Sequence, residues 1–290
     1  MEHDVKLVND CRNRHGEGPV WVPGIRTLLW TDIETPALCR YRPDTGEYES
    51  IPLERKLGSF AVIDERTILA AFDDVIAVFD FEDRRILRSV PIEKEIPETR
   101  MNDGRADRNG NFVISGFDND GKGRSGLYWI GKDLSIKKWF SGISSGNSIC
   151  FSPEGTAMYF ADTPEGVIWR YEYDAVNGVI GNKTLLFDFR QEPGLPDGSV
   201  VDSEGFLWNA EWGGGRIVRI SPDGELDAVV EMPVKNPTCM AFGGDDLKTL
   251  YITTSRLMMS EGELAAQESA GSLFAIALDT AGLSDGRYIL

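Results

Sequence analysis

The chain has 290 residues, 41% of them hydrophobic and 27% charged, with a net charge of −17. That apolar fraction excludes a disordered chain, and the acidic balance, with no offsetting Lys/Arg cluster, argues against nucleic-acid or anionic-membrane partners. No window offers the roughly 18 uncharged apolar residues of a membrane helix, and Met1-Glu2-His3-Asp4 opens no secretory signal, so a cytoplasmic location is expected.

In chain order the predicted strands fall into repeating groups. Residues 17–21 lead to strands at 27–30 and 38–42, and residues 58–63 lead to 67–72 and 75–79. The segment from Asn102 leads to 111–115 and 126–130. That from Asn147 leads to 158–161 and 167–173, and that from Asp197 to 206–210 and 216–220. Residues 237–242 lead to 249–253 and 272–276. The clearest copies, beginning at Asn102, Asn147 and Asp197, are followed by Asp107, Ser152 and Asp202, then by Gly110, Gly155 and Gly205. They recur about every 45–50 residues, the period of a propeller blade. Six such copies, each of about four short strands and almost without helical periodicity, predict an all-β fold. The expected architecture is a six-bladed β-propeller with four-stranded blades. Because no blade buries its faces alone, residues 1–290 are expected to form a single domain.

In a propeller the first strand of each blade lines the central channel. The openings at Glu17, Gly58, Asn102, Asn147, Asp197 and residues 236–237 should therefore converge on one mouth. The long connections at 117–125 and 255–271 should rim the same mouth, where long loops are commonly functional. Glu17, Asn147 and Asp197 bring two carboxylates and one amide oxygen, hard ligands suited to one divalent metal ion. The competing reading is that these polar groups hydrogen-bond blade to blade. Four cysteines without paired spacing exclude a zinc finger or redox motif. Cys150 and Cys239, in apolar runs, are expected to be buried thiols of a reducing compartment.

Only two histidines are present, His3 and His15, which excludes a three-His zinc site and leaves little for a Ser-His-Asp triad. Asp118-Asn119-Asp120-Gly121 looks calcium-like, but the twelfth position is Trp129, so it reads as a solvated turn and not an EF-hand loop. Residues 258–268 have a helical rhythm that suits a lid helix or a surface insertion. Trp212 suits stacking on a sugar or packing between blades. His15 suits orienting Glu17 or a plain loop role.

Gly16-Glu17-Gly18-Pro19-Val20-Trp21, Arg100-Met101-Asn102-Asp103-Gly104, the Asn147 segment, Leu195-Pro196-Asp197-Gly198 and Phe242-Gly243-Gly244 with Leu250-Tyr251-Ile252-Thr253 stand in a recognisable order. Over roughly residues 15 to 276 the chain resembles the gluconolactonase, senescence marker protein and regucalcin family, which includes bacterial sugar-acid lactonases. The resemblance implies a six-bladed propeller with one divalent metal (Ca, Zn, Mn, Mg or Fe) on Glu17, Asn147 and Asp197. It implies substrate binding by Arg100 and Asn102. An acidic substrate contact of some members falls on Asp118 or Asp120, of which Asp120 is the one expected. The chain departs from the family in having Asn147-Ser148 where Asn-Gly is common.

The function so implied is metal-dependent hydrolysis of an aldonolactone, such as a glucono-, galactono-, arabinono- or xylonolactone. The metal would polarise the carbonyl and activate water, with Asp197 as catalytic base. The rival expectations are a broader lactonase or esterase of similar fold and a non-catalytic calcium-binding propeller.

Overall fold

The structure is a computed structural model that describes residues 4–290; His3 lies outside the described residues. Strands assemble into six four-stranded antiparallel sheets set around a channel. Blade 1 runs Gly16–Val22, Thr27–Asp32, Ala37–Arg42 and Glu47–Pro52. Blade 2 runs Leu57–Val62, Thr67–Phe72, Val75–Asp80 and Arg85–Pro91. Blade 3 is Thr99–Ala106, Phe112–Asp118, Ser125–Ile130 and Ile136–Ile143; blade 4 is Gly146–Phe151, Ala157–Asp162, Val167–Asp174 and Val179–Asp188. Blade 5 is Leu195–Val201, Leu207–Trp212, Arg216–Ile220 and Leu226–Glu231.

Position in the blade explains the sequence of each strand. Inner strands are covered on both faces, so Leu57–Val62 and Gly146–Phe151 are buried at every residue. Outer strands carry solvent-facing charge, and Arg85–Pro91 is almost wholly exposed. The cores lie between neighbouring blades. Val20, Leu29 and Leu38 of blade 1 pack with Phe60, Ile68 and Phe79 of blade 2. Each such buried side chain contributes about 1.5–3 kcal/mol. Cys150 and Cys239 are buried free thiols, as their apolar surroundings predicted.

Blade 6 is composite. Pro237–Gly243, Thr249–Thr254 and Leu273–Ala277 are joined by Lys6–Asn9, which pairs antiparallel with Leu273–Ala277 and so ties the start of the chain into the last sheet. The repeat left this strand unassigned: four residues, two of them exposed, carry no periodicity of their own. Residues 258–268 do contain a helix, Glu261–Ala266, with Ser260 and Glu263 forming a reciprocal capping box. Met259 and Leu264 pack against the core shared by blades 5 and 6, and Lys235 pairs with Glu263. The segment is docked on the upper face.

The last ten residues cross the lower end of the channel as a strap. Ser203 donates to the Ala281 carbonyl, Gly282 to Leu247, Tyr288 to Val62 and Ile289 to Gly110. Gly282 is required there, since a Cβ would lie 1.8 Å from the Phe242 ring. The strap also delivers Asp285 to an ion pair with Arg105 of blade 3.

Candidate functional site

Each inner strand slips register against its neighbour near its upper end. The slips fall between Glu17 and Val20, Leu57 and Ser59, and Met101 and Gly104. They recur between Asn147 and Cys150, Pro196 and Ser199, and Pro237 and Cys239. A bulge leaves residues unpaired and re-aims side chains. The slips carry or flank Glu17, Asn102, Asn147 and Asp197.

A second repeated device grips the chain just before each candidate ligand. Asp32 accepts the backbone N–H groups of Arg14 (2.9 Å) and His15 (3.0 Å), ahead of Glu17. Asp162 accepts those of Ser144 (2.9 Å) and Ser145 (2.7 Å), ahead of Asn147. Glu211 accepts that of Gly194 (3.2 Å), ahead of Asp197. Asp32, Asp162 and Glu211 lie at or next to the upper ends of second strands. Reading the repeat one strand further would have shown them.

The mouth gathers Glu17, Asn147, Asp197, Asn102 and Arg100, all at most 8% exposed. Asn102 Nδ2 donates to the Gly146 carbonyl (2.9 Å) and to Asn147 Oδ1 (3.3 Å). Asn102 Oδ1 accepts from Arg100 Nη1 at 2.7 Å. The Arg100 guanidinium lies over the Phe117 ring at 4.5 Å, and its Nε is buried without a partner. Glu17 Oε2 accepts the Gly18 N–H at 2.9 Å. Neither Glu17 nor Asp197 has a salt-bridge partner among the described residues.

Burial, and then the neighbouring Asp103, push the Glu17 carboxyl up to about 8. Burial, then Glu17 and Asp103, raise Asp197 well above the usual carboxylate range. Two buried carboxyls, Glu17 raising the proton affinity of Asp197, stand beside an amide oxygen as a set of hard oxygen donors that a dication fits. Among the described residues no three His, Cys, Asp or Glu side chains form a metal-binding group. The candidate set differs in kind, being two carboxylates and an amide. Asp103, quoted in the Arg100–Gly104 motif without a role of its own, accepts the Ile149 N–H at 2.8 Å and is raised to about 6 by burial.

Ser148 explains its own departure from Asn-Gly. Its φ is 60°, the left-handed region that Gly18 also adopts after Glu17 with φ 55°. The serine hydroxyl donates to the Asp197 carbonyl at 2.6 Å, an anchor that glycine would lack. Asn209 Nδ2 donates to the same carbonyl at 3.1 Å.

The remaining candidates stand around this cluster. Asp120 is exposed on the upper loop and accepts from Arg124 at 2.8 Å. Asp118 is buried. It binds the backbone N–H groups of Asp120, Lys122 and Arg124 and pairs with the Arg124 side chain, so it shapes this loop and is not part of a solvated turn. His15 Nδ1 lies 3.0 Å from Ser255 Oγ, and burial, with Arg100 and Lys56 adding to it, lowers the imidazole to about 3. Asp32 binds the His15 backbone, leaving the ring without the orienting carboxylate of a triad. Trp212 meets the His15 ring edge-on at 5.6 Å on the rim.

A gluconolactonase-type family model, described as SMP-30/Gluconolactonase/LRE-like region, matches residues 15–256. The chain belongs to this family. It is 36% identical to an L-arabinolactonase of Azospirillum brasilense over 97% of this chain and 94% of that protein. It is 33% identical to a pentonolactonase of Haloferax volcanii over 98% of this chain and 97% of the relative. The solved structure of a calcium-binding protein, regucalcin, from Agrobacterium tumefaciens superposes with a TM-score of 0.96 at 30% identity, covering 100% of this chain and 99% of the other. That superposition takes in all six blades of the ring.

Proposed function

We propose that this chain hydrolyses a sugar lactone to its aldonic acid, with a divalent cation held by Glu17, Asn147 and Asp197. The observation that carries the reading is the pair of buried carboxyls, without a cationic side-chain partner, set beside the Arg100–Asn102 pair at one mouth. The lactonase names of the relatives support the substrate class, and the calcium-binding neighbour favours calcium as the ion.

When bound, the cation supplies Lewis acidity toward a carbonyl and makes water a stronger acid. Asp197 keeps an oxygen to take the proton of the attacking water, the role of a general base. Arg100 commits Nη1 to Asn102 and to the Met101 carbonyl, leaving Nη2 to donate to ring or hydroxyl oxygens of the sugar. Asn102 Oδ1 retains a lone pair for one substrate hydroxyl. The strap across the lower end leaves the upper mouth as the way in for substrate.

The test is turnover of glucono-, galactono-, arabinono- and xylonolactone with and without chelator. Chelation should abolish turnover and restored cation should return it, while the β circular dichroism persists. Turnover indifferent to chelator would remove the cation from the reading. Collapse of the β signal on chelation would make the cation structural.

A further inference from the structure

Asn147 can serve as an oxygen ligand only if its amide faces the mouth with Oδ1. Carbonyl oxygen and NH₂ are nearly alike in shape, so the polarity of an amide is set by its hydrogen-bond partners. Here the partners leave no choice. Asn147 Nδ2 lies 2.7 Å from Thr163 Oγ1, and Thr163 Oγ1 lies 2.9 Å from the carbonyl oxygen of Pro196. A carbonyl only accepts, so the single Thr163 hydroxyl proton is committed to Pro196. Toward Asn147 the hydroxyl oxygen can then only accept, and the end of the amide that faces it must be the NH₂ group.

The other side of the same chain is fixed as firmly. A guanidinium only donates, so Arg100 Nη1, 2.7 Å away, demands Asn102 Oδ1. Asn102 must therefore turn its NH₂ toward the Gly146 carbonyl and Asn147 Oδ1. The result is a directed relay from Arg100 through Asn102, Asn147 and Thr163 to the Pro196 carbonyl. A donor-only group stands at one end and an acceptor-only group at the other.

Thr163 is itself held. It follows the strand Ala157–Asp162 and begins the short 3₁₀ turn Thr163–Glu165, and its N–H donates to the Ser145 carbonyl at 2.9 Å. Through Pro196 it grips the residue immediately before Asp197. One hydroxyl thus touches the side chain of one candidate ligand and the backbone beside another, across the seam between blades 4 and 5.

The geometry points to Thr163 as a positioning residue that, together with Asn102, sets the polarity of the Asn147 amide and, with it, the affinity of the site for a divalent cation. This rests on the cation site proposed above. Groups that orient metal ligands from behind typically govern metal affinity about 10–100-fold. The hydroxyl is the essential part, so serine should substitute for it and valine, of the same shape, should not.

The experiment is calorimetric titration of metal-free wild type, Thr163→Val and Thr163→Ser with Ca²⁺ alone, each variant first checked by thermal unfolding. Thr163→Val should bind about 10–100-fold more weakly, and Thr163→Ser should bind like wild type. Should Thr163→Val fail to fold, Thr163→Ala reads the same loss. Wild-type binding matched by Thr163→Val or Thr163→Ala overturns the positioning role. A loss shared equally by Thr163→Ser also overturns it, because the hydroxyl is then not what matters. Absence of Ca²⁺ binding in the wild type would instead defeat the cation site itself.

Discussion

The upper and lower ends of the channel both bury charge, and they treat it in opposite ways. At the upper mouth Glu17, Asp197 and Asp103 are buried without a salt bridge among the described residues, and all three carboxyls are pushed toward the protonated form. At the lower end Arg105 meets Asp285, brought in by the strap, with the Met240 carbonyl as a further acceptor. Burying an unpaired charge is costly, whereas a matched pair recovers much of that cost. The lower end is therefore built to hold the ring together, and the upper end suits the cation proposed for it.

The sharpest way to break this contrast is Asp197→Asn. The amide preserves shape and one carbonyl oxygen, so the ring should fold. It removes a negative charge and the proton-accepting oxygen. With cation occupancy confirmed by elemental analysis, lactone turnover should fall by about 10²–10⁴ or more, the usual worth of a general base. Near-wild-type turnover at full occupancy would leave Asp197 a ligand only and move the search for the base to Glu17.

The lower end should respond in the other currency. Asp285→Ala strands the Arg105 guanidinium; both side chains are 11% exposed, so the loss should approach the about 3–5 kcal/mol of breaking a fully buried pair from one side. Denaturant unfolding should register that loss, while the folded variant keeps its turnover. A stability loss below about 1 kcal/mol would show the pair to be no better than a surface one.

The smallest effect belongs to a charge pair on the surface of the upper face. Lys235, followed by the Ser260 cap, holds Glu263 at about 2, below the ordinary carboxylate value. Because the folded value is depressed, the contribution is present above about 4.3 and is lost as pH falls toward about 2. Amide exchange in Glu261–Ala266 should therefore quicken over that window before the blade strands respond. Exchange that stays level to pH 3 would mean that Met259 and Leu264 alone hold the segment.

Much of this was legible in the chain. The blade repeat follows from alternation and turn residues, which are local, and it picked out Glu17, Asn102, Asn147 and Asp197, which stand at or within the register slips of the inner strands. Met259 and Leu264 made the helix at 261–266 visible as a rhythm, but whether it stood free or docked depended on blades 5 and 6. Asp118 looked like a solvated turn residue because sequence shows composition and not the three backbone N–H groups that fold around it.

By itself, then, the sequence determined the number of blades and the identity of the family, since each is written in short-range pattern and motif. Tertiary structure alone decided the fourth strand of blade 6, the strap that carries Asp285 to Arg105, and the relay in which Thr163 sets the Asn147 amide. These join residues as far apart as Lys6 and Ala275, or Arg105 and Asp285. Such contacts exist only after the ring has closed, and a hydrogen bond's direction is fixed by the partners that closure brings within reach.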